Sequence, residues 1–340
     1  MLDVVTIGSS TVDFFIETNF PLIPWEDTTL GKAIAVPFGE KFSADSSLIT
    51  TGGNAVNAAI TFARQGLRVG TAIKLGLDVP GEVIEERLRL EGIKNKFVVW
   101  DNAAPTSRSV ILLKGGERSI ITYQGSGSDL LSKEINFKKM RAKWWYVSLS
   151  GASYKLFPSI AKNSQELGIK LAVNPTKHHL LDGKKQLLDN LKYVDFLVIN
   201  EGEAALLTGA KASDEEGLLK RMDKIVPGLY AVTYGNKGSI VSDGERLFRA
   251  AIFKEKTTTD RTGAGDAYGS GFIAGLIRSK ERCGRFGYDP EKIKYAIRLA
   301  TANASSVVER LGGSEGVLYR KDFDENSRYD KLKIDVKEIK

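Results

Sequence analysis

The most suggestive chemistry in the chain lies in Asp260-Arg261-Thr262-Gly263-Ala264-Gly265-Asp266-Ala267, which runs into a helical pattern over 268–277. Glycines where a loop enters a helix let backbone N–H groups reach an anion, and the helix amino terminus adds partial positive charge there. A carboxylate on the first turn, Asp266, can then meet a hydroxyl approaching that anion. The helix dipole is expected to lower the pKa of Asp266 and make it a weak base. This suits phosphoryl transfer, whose loose transition state needs a group that orients the alcohol and accepts its proton late. The same residues equally describe a glycine-rich helix start with an aspartate that caps the backbone.

Three further clusters carry polar groups in useful places. Gly52-Gly53-Asn54-Ala55-Val56-Asn57-Ala58-Ala59 opens a second helix, with Asn54 and Asn57 offering amide donors and acceptors to sugar hydroxyls, or Asn54 serving as an ordinary cap. Asp13 follows the first strand-like run, where a doubly wound sheet presents ligand contacts and where a turn aspartate is equally at home. Asn200 and Glu203 stand one helical turn apart after the run 196–199. Such oxygen ligands can hold Mg²⁺ directly or through its waters, and they also match a capping box. His178 and His179 are adjacent, without metal-ligand spacing, and receive no chemistry.

Two nucleotide fingerprints are excluded. Gly263-x-Gly265-x-x-x-Gly269 is a near miss to the dinucleotide motif, but a second long helix, near 290–310, follows where a strand with an acid belongs. No Gly-x-x-x-x-Gly-Lys-Ser/Thr run occurs, which removes the P-loop.

These residues must be positioned by a body of 340 residues, of which 42% are hydrophobic and 27% charged, ordinary values for one large α/β unit. The single cysteine, Cys283, cannot form an internal disulfide. The first strand-like run begins near Met1, leaving no room for a signal peptide, and no apolar stretch reaches the roughly 18 residues of a membrane span. A cytoplasmic location without membrane partners is therefore expected. The net charge of +7 is spread in short clusters, such as 138–143 and 278–285, without an aromatic ladder, so nucleic acid is not expected as a partner.

Short β-branched runs (4–7, 69–75, 171–173, 196–199, 229–233) alternate with amphipathic segments of helical length. This predicts a mostly parallel sheet covered on both faces, whose ligands sit at strand carboxyl ends. The pattern breaks at 107–113 and 118–123, two strand-like runs joined by Lys114-Gly115-Gly116-Glu117. With Phe14-Phe15-Ile16-Glu17 and parts of 32–49 they form either a small β-lid over a cleft or an extension of the main sheet.

Taken together, Gly52-Gly53-x-x-x-Asn57-x-Ala59, Gly76-x-Asp78-x-x-Gly81, Asn200-x-x-Glu203, Val232-Thr233-x-Gly235-x-x-Gly238 and Gly263-Ala264-Gly265-Asp266 resemble the ribokinase-like, or PfkB-type, carbohydrate kinase family. The resemblance covers residues 1–315, with lid segments near 14–18, 32–49 and 106–124, and leaves 316–340 as a C-terminal extension of unknown role. It implies a three-layer α/β/α fold with a mostly parallel central sheet and a small β-sheet lid. It also implies transfer of the ATP γ-phosphate to a sugar-type small molecule, by a monomer or homodimer. Residue by residue, Asp266 matches the family's catalytic base, and Gly263, Ala264 and Gly265 its anion hole. Asn200 and Glu203 match its Mg²⁺-associated pair, while Asp13, Gly53 and Asn57 match positions that bind acceptor hydroxyls. Thr233, Gly235 and Gly238 match a nucleotide-binding strand and turn, and Asn303 the adenine pocket. Asp260 and Thr262 fall where some members bind a monovalent cation, which implies K⁺.

Departures bear on substrate. Asn54 stands where ribokinases proper carry Lys, and Arg261 replaces the more frequent Thr or Pro. Arg108, Arg118 and Lys177 are either solvated lid and loop cations or contacts for an anionic acceptor. The competing functional reading is a catalytically silent sugar- or nucleotide-binding member of the same fold, which the presence of Asp266 disfavours.

Overall fold

The β-branched runs form the middle of a nine-stranded sheet in the computed structural model, which describes residues 1–28, 30–115, 117–254, 261–279 and 289–339. Six neighbouring strands are parallel, in the order Val69–Ala72, Leu2–Gly8, Ala142–Ser148, Lys170–Val173, Phe196–Asn200 and Leu229–Thr233. Three antiparallel strands, Ser239–Ser242, Arg246–Ala250 and Ile334–Glu338, extend the far edge. The strand Ala142–Ser148, beside the first strand, is not one of the β-branched runs. Its Trp144-Trp145-Tyr146 core is aromatic, a composition that suits a pleated sheet as well. The run 69–75 is divided: Val69–Ala72 joins the main sheet, and Lys74–Gly76 turns away to pair with Val99–Asp101.

Strand alternation separates two cores and so creates three layers. Val4, Trp144, Tyr146, Phe196 and Val198 face one side, buried with residues of the helices Asn54–Arg64, Ala264–Arg278 and Pro290–Val308. Val5, Trp145, Val147, Leu171 and Leu197 face the other, against helices that include Phe157–Leu167 and Glu215–Ile225. The Ala264–Arg278 helix lies close on the sheet. Phe272 stacks on Phe196 at 4.4 Å between ring centroids, and a Cβ on Gly269 would come within 2.6 Å of a Val198 methyl. The last glycine of the near-miss dinucleotide motif thus serves helix-to-sheet contact.

A separate four-stranded sheet joins Glu117–Tyr123, Arg108–Lys114, Thr11–Glu17 and Ser46–Gly52 in that order. The strand expected at 14–18 begins earlier, at Thr11, and ends at Glu17, and within 32–49 only the end, from Ser46, belongs to this sheet. Lys32–Ile34 pairs with Leu22–Pro24 in a ribbon of its own. The sheet is rooted to the body by Asp78, which caps the helix Val79–Leu90 and accepts from both the amide and the hydroxyl of Thr106. Burial opposes ionisation of Asp78, yet these donors, with Gly81 and Arg108, hold its carboxyl below the ordinary range.

Residues 316–340, set apart on sequence, are part of the body. Ile334–Glu338 completes the sheet edge, and Val317, Leu318, Phe323, Tyr329 and Leu332 are buried in the core beneath Pro290–Val308. Cys283 lies outside the described residues. Among the described residues no helix is long and apolar enough to cross a membrane.

Phe323 is buried between Tyr329, stacked at 5.4 Å, and Tyr295. Truncating it to alanine is expected to cost about 3–5 kcal/mol of unfolding free energy, as for large aromatic core residues generally. Urea denaturation followed by circular dichroism checks this, and a loss below about 1 kcal/mol would show that the C-terminal segment is peripheral.

Candidate active site

The carboxyl ends of the parallel strands gather the polar residues. Ser9 and Ser10 follow Leu2–Gly8, Ser150 follows Ala142–Ser148, Asn174 follows Lys170–Val173, and Asn200 and Thr233 end their strands. The helices Asn54–Arg64 and Ala264–Arg278 direct their amino ends into the same region. Gly263 forms the N-cap of the second helix at φ 77°, and a Cβ there would come within 2.3 Å of the Gly313 carbonyl oxygen. Only glycine permits this left-handed turn against a second backbone loop. The amides of the first turn, at Gly265 and Asp266, have no acceptor within the helix and remain available to an anion.

Asp266 is held between two amides. Asn57 Nδ2 donates to its Oδ2 and Asn174 Nδ2 donates to its Oδ1, each at 3.1 Å. The residue is 8% exposed, and burial pushes its carboxyl up to about 6, against the two amide donors and with a small contribution from the Glu203 charge. The sequence reading expected the helix dipole to depress this pKa. Desolvation prevails because the carboxylate loses water on nearly every side and gains only neutral donors. Asp266 is therefore a stronger base than a solvated aspartate. Asn57 keeps its Oδ1 buried without a partner.

Three cavities meet around this carboxylate. One, of about 280 Å³, is lined by Asp266, Asn174, Lys177, Asn200, Glu203, Thr233 and the glycines 263 and 265. A second, about 300 Å³, opens between the body and the small sheet, with Gly53, Asn54, Asn57, Thr262 and Asp266 on the body side and Asp13, Ser109, Ile111, Ile120 and Thr122 from the sheet. The small sheet is thus a wall of the cleft, as a lid requires. The third, about 320 Å³, lies along Gly235, Gly238, Arg261, Ala264, Gly265, Thr301 and Ser305 and shares Asn200, Thr233 and Gly265 with the first. Asp266 and Gly263 stand where the first two meet.

Most residues selected from sequence converge here, and several have structural duties as well. Asn200 and Glu203 form a reciprocal capping box, each side chain bonding the other's backbone amide at 2.9 Å, while both line the first cavity. Burial raises the Glu203 carboxyl, opposed by Asn200. Asn54 bonds Ser148 Oγ through its side chain at 2.8 Å and Ser9 Oγ through its backbone at 3.1 Å, so it braces the cleft while lining it. Asp13 accepts a long bond from the Thr11 hydroxyl at 3.4 Å. Asp260 lies outside the described residues.

Asn303 requires correction. It is 0% exposed, with Nδ2 donating to Thr61 Oγ1 and the Ala267 carbonyl and Oδ1 accepting from the Leu318 amide. The cavity takes Thr301, Ala304, Ser305 and Val308 from the same helix, a spacing of three and four that turns Asn303 inward. Its role is to tie three segments together. Asn174 is not among the residues selected from sequence, although it directly follows a recognised strand, the rule that selected Asn200; Lys177, a candidate anion contact on sequence, lines the first cavity. Nothing local marks Gly313, whose contact with Gly263 and Asn57 is wholly tertiary.

The family model for pfkB family carbohydrate kinases matches residues 31–318. The chain belongs to this family. The kinase is 26% identical over 305 residues to a ribokinase of Haemophilus influenzae, covering 85% of this chain and 92% of that one. It is 26% identical over 297 residues to a cytidine kinase of Thermococcus kodakarensis, covering 85% and 94%. Among solved structures, the Arabidopsis thaliana ribokinase complexed with ribose and ATP superposes with a TM-score of 0.75 at 22% identity, over 95% of this chain and 98% of that one. The three-layer architecture with its small sheet is the ribokinase fold.

The raised pKa has a stability consequence. With a folded pKa near 6 and an unfolded value of 3.8, Asp266 contributes stability below pH 3.8 that is lost as pH rises through 6. Whatever its new amide costs, Asp266→Asn is expected to gain about 3 kcal/mol relative to wild type between pH 3.5 and 7.5. Denaturant melts of both proteins across that range test this, and a pH-independent gap would refute the buried, perturbed carboxyl.

Proposed function

We propose that this kinase transfers the γ-phosphate of ATP to a hydroxyl of a sugar or sugar-containing metabolite, with Asp266 as the base. The observation that carries the reading is the position of Asp266, shared by the cavity that ends at the helix amino terminus and the cavity under the lid. Only a group at that junction can touch an acceptor hydroxyl while an adjacent anion hole holds the phosphate.

In this reading ATP lies along the third cavity, with Thr233, Gly235 and Gly238 beside it and its terminal phosphate reaching Gly263, Ala264 and Gly265. The acceptor lies under the lid against Asp13, Gly53, Asn54 and Asn57. The hydroxyl oxygen attacks the γ-phosphorus, the bond from that phosphorus to the β-phosphate oxygen breaks, and ADP leaves with the electron pair. Asp266 takes the hydroxyl proton. Asn57 and Asn174 fix its orientation, and burial gives it a pKa closer to the working pH, which favours proton acceptance. The lid excludes water, the competing acceptor.

Mg²⁺ would arrive with the triphosphate. Among the described residues no three carboxylate, His or Cys side chains converge to hold a cation alone. Asn200 and Glu203 offer oxygens to a hydrated ion beside the first cavity, which fits an ion whose remaining ligands are water and phosphate. When bound, it would neutralise phosphate oxygens.

Asp266→Asn is expected to lower kcat at least about 10³-fold while ATP affinity stays within a few-fold. In the wild type, kcat/KM should fall as pH drops below about 6, where Asp266 becomes protonated. Coupled ADP-release assays measure both, and near-normal turnover by the variant would exclude Asp266 as the base. Glu203→Gln should raise the Mg²⁺ concentration for half-maximal rate about tenfold or more; an unchanged Mg²⁺ titration would remove Glu203 from metal handling.

A further inference from the structure

The cavity under the lid has a distinctive chemistry. Of its 18 lining residues, nine are serine or threonine and three more carry amides, so hydroxyl and amide partners surround the space. Among the described residues its charged side chains are Asp13 and Asp266, both carboxylates, and none of those lining it is Lys, Arg, His or aromatic. The large apolar side chains are Ile111 and Ile120.

The nearby cations are directed elsewhere. Ser107, Ser109 and Ile111 face the cavity, so strand alternation turns Arg108 to the opposite side. There its guanidinium lies 3.6 Å from Asp78 and over the Tyr123 ring at 5.5 Å. Arg118 has the same parity as Ile120 and Thr122 but stands one pair nearer the hairpin tip, opposite Leu113, exposed and off the lining. Lys177 does line the cleft, in the cavity on the phosphate side of Asp266. Positive charge is therefore available where a phosphoryl group would travel, and carboxylates where the acceptor would sit.

Resting on the kinase reading, we infer that the acceptor is an uncharged monosaccharide, selected over sugar phosphates, sugar acids and nucleosides. A polyhydroxylated ring satisfies the serine, threonine and amide groups, which would otherwise be desolvated without partners. An anionic acceptor meets two carboxylates and, among the described residues of the lining, no compensating cation. Among the described residues of the lining a nucleobase finds no aromatic face and two isoleucines as large apolar support.

The test is an initial-rate panel with the full-length protein, ATP and Mg²⁺: ribose, fructose, glucose and inositol against fructose 6-phosphate, 2-keto-3-deoxygluconate, adenosine and cytidine. The expected result is a kcat/KM for the best neutral sugar at least about 100-fold above every charged acceptor and nucleoside. A charged acceptor or nucleoside that equals or exceeds the neutral sugars overturns the inference. Gln124, exposed at the cavity rim, supplies a second check. In Gln124→Lys the ratio of kcat/KM for fructose 6-phosphate over the best neutral sugar should rise at least tenfold, and an unchanged ratio counts against the electrostatic basis. If nothing in the panel is phosphorylated, the kinase reading itself fails, and calorimetric titration then judges the cavity. Preferential binding of a neutral sugar sustains the acceptor class, whereas no binding, or preference for a charged ligand or nucleoside, overturns it.

Discussion

The arrangement of this protein turns on one buried carboxylate that must stay ionisable. Asp266 is removed from water by the fold and given two neutral amide donors, from Asn57 and Asn174, in place of a cation. A lysine or arginine partner would have compensated the burial more fully and left the group a poor base. Amides fix its direction without suppressing its pKa, so some folding stability is given up for basicity in the cleft.

That requirement extends outward. Asn57 lies on the first turns of one helix, Asn174 follows a parallel strand and Asp266 opens a second helix, so three elements must meet within hydrogen-bond reach. The parallel sheet brings their ends together, and the stacking of Phe272 on Phe196 seats the second helix on it. Behind them, the loop at Gly313 abuts both Gly263 and Asn57, and Glu315 reaches Thr50 on the lid strand and Arg87 on a body helix. The small sheet, the Gly263 turn and Asp266 are thereby connected through one short loop. The C-terminal segment secures this region from below, since the Leu318 backbone holds both Gln65 and Asn303.

The cleft is electrically asymmetric. Lys177 and the amino end of the Ala264–Arg278 helix favour negative charge on one side of Asp266, while Asp13 and a hydroxyl-rich wall occupy the other. The proposed phosphoryl transfer would use such a division, because the phosphoryl group carries the developing charge and the alcohol needs orientation.

Local signals in the chain specify the architecture and most of the residues that line the cleft. Strand runs of β-branched residues, a glycine turn entering a helix and polar residues just beyond strand ends are local signals, because they reflect backbone preference and the pleat period. They located Asp266, Gly263, Asn57, Asn200 and Glu203 before any contact was known. Tertiary structure decided what depends on neighbours distant in sequence. It reversed the expected pKa shift of Asp266, since desolvation is a property of the whole surround, and it turned Asn303 inward through the rotation of its helix against Thr61 and Leu318. It also brought in Asn174 and Gly313, and it assigned Arg108 to Asp78 and Lys177 to the cavity at the amino end of the Ala264–Arg278 helix. A charge announces its presence in sequence; only packing fixes which cavity it faces.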